Sequence, residues 1–206
     1  MALAHEGVSV ALVARDAAAL QRAAESIREA TEVAVEIVAA DLSDPTGRAS
    51  VLSACPGPDI LVTNCGGPPG GDFRKLTHAQ WLSALESNFL SAVDLIRGTV
   101  DGMAQRGFGR IVNITSMTVR VPVQHLDLSN ASRLALTGYV AGVAREVAAQ
   151  GVTINNLLPG TVTTERLRAL GDTARKLSSA CRWAVRGHRT SSARSARSSA
   201  AYQRHS

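Results

Sequence analysis

The stretch VSVALVARDAAALQRAAESIREATEVAVEIVAA, residues 8–40, sets a pattern that the chain then repeats. Its first part, Val8 to Val13, is a continuous apolar run rich in β-branched residues. Such a run predicts a strand buried on both faces of a parallel sheet rather than one with a wet side. Strands of that kind need helices between them. Asp16 is placed to cap a helix reaching Ala30, with Leu20, Ala23, Ala24 and Ile27 recurring on one face. A second strand, Val33 to Ala39, follows at once.

The cycle continues down the chain. A short helix from Pro45 to Ala54, with proline in its first turn, leads to a strand Asp59 to Asn64 and a glycine/proline loop from Gly66 to Gly71. From about Thr77 to Gln105 the residues Trp81, Leu85, Phe89, Ala92, Ile96 and Val100 keep helical spacing, which predicts one long helix closed by Gly107 and Gly109. A strand Arg110 to Thr115, a helix Ser129 to Gln150 and a strand Gly151 to Leu157 complete the alternation. Strict alternation of strand and helix implies a parallel sheet with right-handed crossovers, that is, a doubly wound α/β domain over about residues 1–170.

Composition narrows the function classes. At 206 residues, with 45% hydrophobic and 19% charged side chains, the chain suits one globular domain with a sizeable core. Its net charge of +5 is unevenly placed: residues 171–206 carry seven Arg and one Lys against the single acid Asp172, whereas the first 170 hold 14 basic and 16 acidic residues. That tail is also rich in serine and lacks apolar periodicity, so it is predicted to be disordered. Arginine clusters can contact phosphates, but the tail has no regular aromatic interleaving, and nucleic-acid binding is not the favoured reading. The three cysteines Cys55, Cys65 and Cys181 have neither disulfide-framework nor zinc-site spacing, and no metal site is expected. With no long apolar run and no signal-peptide pattern, the expectation is a soluble, cytoplasmic protein.

In an open α/β sheet, ligands bind outside the carboxyl ends of the strands, which directs attention to the residues just after each strand. These are Ala14-Arg15, Asp41-Leu42, Thr63-Asn64-Cys65-Gly66, Thr115-Ser116 and Pro159-Gly160, with Asn88 in the long helix. This ordered set resembles the short-chain dehydrogenase/reductase family over about residues 1–170. The resemblance implies a Rossmann-like fold and an NADP-linked oxidation or reduction of a small carbonyl or alcohol, of the ketoacyl-reductase type. It also implies a homo-oligomer built on the two long helices.

By that resemblance Arg15 faces the 2′-phosphate of NADP, since a guanidinium pairs with phosphate and no acid at Ala14 favours NAD. A solvated arginine at a helix start is the alternative. Asp41 and Leu42 lie at the adenine, Asn64 and Gly66 belong to an Asn-Cys-Gly turn, and Pro159, Gly160 and Thr164 fit a PGxxxT segment along the nicotinamide and pyrophosphate. A purely structural part for Asn64 stays open. The family's catalytic Asn, Ser, Tyr and Lys fall on Asn88, Ser116, Ser129 and Arg133, so Tyr and Lys are both replaced. Four residues apart, Ser129 and Arg133 share a helix face toward the ribose, and Arg133 can donate to hydroxyls. A serine hydroxyl is shorter and far less acidic than a phenol. Tyr139 lies ten residues on, about 15 Å along a helix, and cannot substitute. His125 is a nearby titratable group, although a loop histidine is more often simply solvated.

The first strand and glycine-rich turn of the family have no counterpart before Val8, so a pyrophosphate cradle is not expected. Truncation at the start and a change of reading frame near Leu170 are the corresponding expectations. A relative that binds cofactor or partner without turnover is the second functional reading.

Overall fold

The computed structural model describes residues 1–160, so the predicted tail and Thr164 lie outside the described residues. The alternation is as the sequence predicts. A short 3₁₀ turn, Ala4–Glu6, precedes β1 (Val10–Ala14), α1 (Ala17–Ala30), β2 (Val35–Ala39), α2 (Pro45–Ala54) and β3 (Ile60–Thr63). Then follow α3 (His78–Leu85), a π-helical turn (Glu86–Leu90), α4 (Ser91–Gln105), β4 (Gly109–Ile114), α5 (Asp127–Val147) and β5 (Val152–Leu157). All strand pairs are parallel. No helix among the described residues is long and apolar enough to cross a membrane.

Local chemistry fixes the helix starts. Asp16 accepts from the Ala19 amide at 2.9 Å and so caps α1. Asp44 accepts from Thr46, with Pro45 in the first turn of α2. Thr77 and Gln80 form a reciprocal capping box at the head of α3.

The strands form two sheets rather than one: β1–β2, and β3–β4–β5. Among the described residues, the edge of β1 away from β2 and the edge of β3 away from β4 therefore lack a strand neighbour. This corrects the reading of residues 8–13 as a strand buried on both faces. Pairing begins only at Val10, and no residue of β1 is fully buried. Val62 of β3 and Ile37 of β2 are likewise 44% and 38% exposed. Continuous apolar runs remain strands here, but burial on both faces needs elements packed over each face, and the exposure of Val62 and Ile37 shows that this cover is not complete among the described residues.

The main core lies where the second sheet meets α4 and α5. Ala92, Ile96, Val100 and Met103 of α4 pack with Leu136 and Val140 of α5 against Ile111 of β4 and Val152 and Ile154 of β5. A smaller cluster joins Ala4, Ala24, Ile27 and Val35 around the first sheet.

Three further predicted boundaries are corrected. The helix read as continuous from Thr77 to Gln105 is broken by the π turn, where the Ser91 amide bonds the Glu86 carbonyl. Ser87 and Ser91 donate their hydroxyls to the carbonyls of Ser83 and Ser87, four residues back, at 2.9 and 2.7 Å. Such back-bonding competes with the amide ladder and bends helices. The helix placed at Ser129–Gln150 begins two residues earlier, at Asp127, and ends at Val147 in a 3₁₀ turn closed by Gly151. Gly109 is the first residue of β4 rather than part of a helix stop; Gly107, at φ 68°, takes the left-handed position alone.

Candidate nucleotide cleft and catalytic face

The carboxyl ends of β1 and β3 open on one cleft of about 630 Å³. Its lining includes Arg15, Asp41, Leu42, Asn64 and Gly66, five of the residues singled out from the sequence. Arg15 projects into solvent, 80% exposed, with its guanidinium 3.7 Å from the Asp41 carboxylate. Asp16 is committed to capping α1.

Asp41 organises the loop that follows β2, accepting from both the Ser43 amide at 2.9 Å and its hydroxyl at 2.7 Å. These bonds, the hydroxyl's first, hold the Asp41 carboxyl below the usual carboxylate range; Arg15 adds a smaller push in the same direction. The ionised form is thus favoured by folding. Its contribution is present above the ordinary carboxylate pKa and is lost as pH falls through the depressed folded value. Carboxyl-carbon NMR titration should give Asp41 a midpoint below about 3.9, and Ser43→Ala should move it back up. A midpoint at or above the ordinary value in the native chain would remove this account of the loop.

The candidate catalytic residues lie beside the cleft and are joined to it by hydrogen bonds. Asn88, 4% exposed in the π turn, donates through Nδ2 to the Gly66 carbonyl at 3.3 Å. Its Oδ1 is buried without a hydrogen-bond partner among the described residues. Helix π turns often mark functional positions, because the inserted residue frees backbone and side-chain groups from the regular ladder. Ser116 follows β4, and its Oγ accepts from the Thr118 amide at 3.2 Å. The same turn is pinned to the end of β5. Thr115 donates its amide to Leu157 at 2.8 Å, and Met117 donates to Pro159 at 3.0 Å.

Arg133 is held by several hydrogen bonds within the protein. Its Nη1 donates to the Ile114 and Thr115 carbonyls at 2.9 and 3.0 Å, its Nη2 to the Cys65 carbonyl at 3.4 Å, and its Nε to Ser129 Oγ at 3.2 Å. The guanidinium thus ties the carboxyl ends of β3 and β4 to α5. Ser129 and Arg133 do share a helix face, as their spacing predicts. Ser129 is 9% exposed and carries no acidic proton. Tyr139 packs edge-on against Phe89, with ring centres 6.2 Å apart, and burial pushes its hydroxyl pKa up. It belongs to the core side of α5. His125 is exposed in the loop before α5, at φ 65°, and its carbonyl accepts from the Gly71 amide at 2.9 Å.

Sequence reasoning missed a buried polar ladder under this face. Thr63, Asn113 and Asn156 lie in register across β3, β4 and β5. Thr63 Oγ1 donates to Asn113 Oδ1 at 2.7 Å, and Asn113 Nδ2 donates to Asn156 Oδ1 at 3.1 Å. The signal was available, since RIVNIT and VTINNL each place asparagine inside an apolar strand, where a polar side chain must find a partner.

A parallel α/β sheet whose polar residues gather at the carboxyl ends of its strands defines a Rossmann-type protein. The chain belongs to the short chain dehydrogenase family, whose profile matches residues 1–175. It is 30% identical to an acetoacetyl-CoA reductase of Allochromatium vinosum over 84% of this chain and 62% of that protein. It is 35% identical to an acetoacetyl-CoA reductase of Cupriavidus necator over 54% of this chain and 46% of that one. The chain therefore spans about half to three-fifths of these curated relatives. Among solved structures it is similar to L-sorbose reductase of Gluconobacter frateurii complexed with NADPH and L-sorbose. That match has a TM-score of 0.77 and 30% identity, covering 86% of this chain and 72% of that one. It is also similar to an actinorhodin polyketide ketoreductase variant with NADPH, at TM-score 0.75 and 29% identity, covering 83% and 67%.

Proposed function

We propose that this chain carries the adenosine-binding and carbonyl-orienting machinery of an NADP-linked oxidoreductase of the ketoacyl-reductase type, acting on a small carbonyl or alcohol. The observation that carries the reading is Arg15, an exposed cation on the rim of a cleft shared with Asp41 and Asn64, with no acid at Ala14 to repel a 2′-phosphate. The relatives and structural neighbours, with their ketone-reducing names and bound NADPH, support it.

The residues fit the adenosine end of such a cofactor better than its middle. The open cleft gives room for an adenosine, Arg15 supplies the positive charge for its 2′-phosphate, and Asp41 and Leu42 lie at its adenine. For the pyrophosphate, the loop Gly66–Gly71 contributes few amides, since Pro68 and Pro69 donate none. When bound, the cofactor supplies or takes the hydride. Ser116 holds a carbonyl oxygen by its hydroxyl, and Pro159 and Gly160 form the adjoining wall, with Thr164 assigned to the same segment. Ser129 stands where a proton donor is needed, with Arg133 Nε beside it.

A second reading, nucleotide binding without turnover, is favoured by one specific observation: Arg133 donates to three backbone carbonyls and the Ser129 hydroxyl, and position 129 offers no phenol. Incubating the 206-residue chain with NADPH and a panel of 3-ketoacyl thioesters and simple ketones separates the two. The leading reading expects NADPH consumption dependent on the carbonyl compound, and slower consumption of NADH. Binding of 2′,5′-ADP with no consumption would leave the second reading; no binding of either would end both. Exposed Leu82, Leu90 and Leu134 on α3, the π turn and α5 further suggest self-association through these helices. A stable monomer in light scattering would contradict that part.

A further inference from the structure

Arg48 is 5% exposed on α2, an unusual place for a cation. Its Nη1 donates to the Leu42 carbonyl at 2.9 Å and its Nη2 to Glu86 Oε1 at 2.7 Å. Its Nε lies 2.8 Å from Asp94 Oδ2, an ion-pair contact whose N–H is not aimed at the carboxylate. The two carboxylates stand at 33% and 38% exposure. Their positions in the chain give the arrangement meaning. Glu86 opens the π turn that carries Asn88, and Asp94 sits in the first turn of the helix that leaves it, so one guanidinium straddles the irregular turn.

The third contact reaches the nucleotide end. Leu42 follows Asp41 in the loop at the adenosine side of the cleft. α2 lies directly against this loop: a side chain at Gly47 would collide with the Asp41 carbonyl. A planar guanidinium can hold the Leu42 carbonyl and the Glu86 carboxylate in fixed directions with the Asp94 carboxylate beside it, which an ammonium on a flexible stem cannot do as well.

We propose that Arg48 is a positioning residue that locks the π turn bearing Asn88 to the Asp41–Asp44 loop, so that the nucleotide end of the cleft sets the placement of Asn88. The second half of this statement rests on the nucleotide-binding reading given above; the first half does not. A buried cation with two carboxylates and a carbonyl is costly to assemble and strongly destabilising to break, so its presence calls for a geometric reason beyond stability. Holding a π turn in place is such a reason.

The test uses the 206-residue chain and Arg48→Lys, with a triple variant Arg48→Met, Glu86→Leu, Asp94→Leu as a second protein that leaves no unpaired charge. In the ligand-free proteins, hydrogen exchange of the Ser91 amide, which closes the π turn, should quicken at least tenfold in both variants. The Ile111 and Val112 amides of the core should hold theirs, and the Asn88 side-chain amide signals should move. With 2′,5′-ADP as the probe, the native chain should show a shift at Asn88 Nδ2, and the variants should bind within about threefold yet lose that shift. Unchanged Ser91 exchange in a folded variant would overturn the locking role. An Asn88 response that persists in the variants, or is missing from a native chain that binds the probe, would overturn the link between the two ends. Failure of 2′,5′-ADP to bind the native chain would defeat the nucleotide reading and the link with it, while the exchange result still decides the lock.

Discussion

Arg133→Met should destabilise the chain by roughly 2–4 kcal/mol, because hydrogen bonds to a charged donor are worth about 1.5–3 kcal/mol each and are not additive. Three backbone carbonyls and the Ser129 hydroxyl lose their donor at once. The side chain is half-buried, so water recovers part of the loss, which keeps the figure below a simple sum. For a domain of this size, about 2–4 °C of melting temperature accompanies each kcal/mol, so a fall of roughly 5–15 °C is expected. Arg133→Lys should recover only part of it, since a single ammonium cannot reach the Cys65 carbonyl and the Ile114–Thr115 pair with the same geometry. Scanning calorimetry on the three proteins settles the matter. A change of a degree or less for Arg133→Met would show that these carbonyls are adequately hydrated without it. The role of Arg133 as the clamp between β3, β4 and α5 would then fall.

The same residue shows what a sequence can and cannot convey about this site. Spacing alone placed Ser129 and Arg133 on one face of a helix, periodicity and the Asp16 cap placed α1, the proline of its first turn placed α2, and apolar runs placed the strands. Those features depend on neighbours within a few residues. Where the donors of Arg133 go depends on carbonyls 18, 19 and 68 positions away. The pairing of Arg48 with Glu86 spans 38 positions, and no local pattern announces it. The π turn escaped for a different reason. Apolar spacing of three and four residues reads as one helix whether or not a single turn takes an extra residue, and the break shows only in the Ser91 amide bonding the Glu86 carbonyl. The division into two sheets is a property of strand neighbours, which a run of valines does not state.

Arg15→Ala should weaken binding of 2′,5′-ADP by roughly 10- to 150-fold, the equivalent of one charge-assisted bond of about 1.5–3 kcal/mol, and leave 5′-ADP nearly unchanged. The ion pair to Asp41 does not compete seriously for this guanidinium. At 3.7 Å and 80% exposure it is a solvent-screened surface contact, and such pairs contribute about 0–1 kcal/mol. The nearest other acid, Asp16, has one carboxylate oxygen engaged with the Ala19 amide as the cap of α1. The cleft therefore presents a cation where a dianionic 2′-phosphate would lie, and 2′,5′-ADP should bind the native chain more tightly than 5′-ADP. Because the contact is electrostatic and exposed, that preference should shrink as salt is raised from low to physiological strength and beyond, while 5′-ADP changes less. Calorimetric titration of both nucleotides into both proteins gives four affinities. Equal losses for the two nucleotides would mean that Arg15 only shapes the loop, and a native preference for 5′-ADP would overturn the assignment of the 2′-phosphate to this end of the cleft.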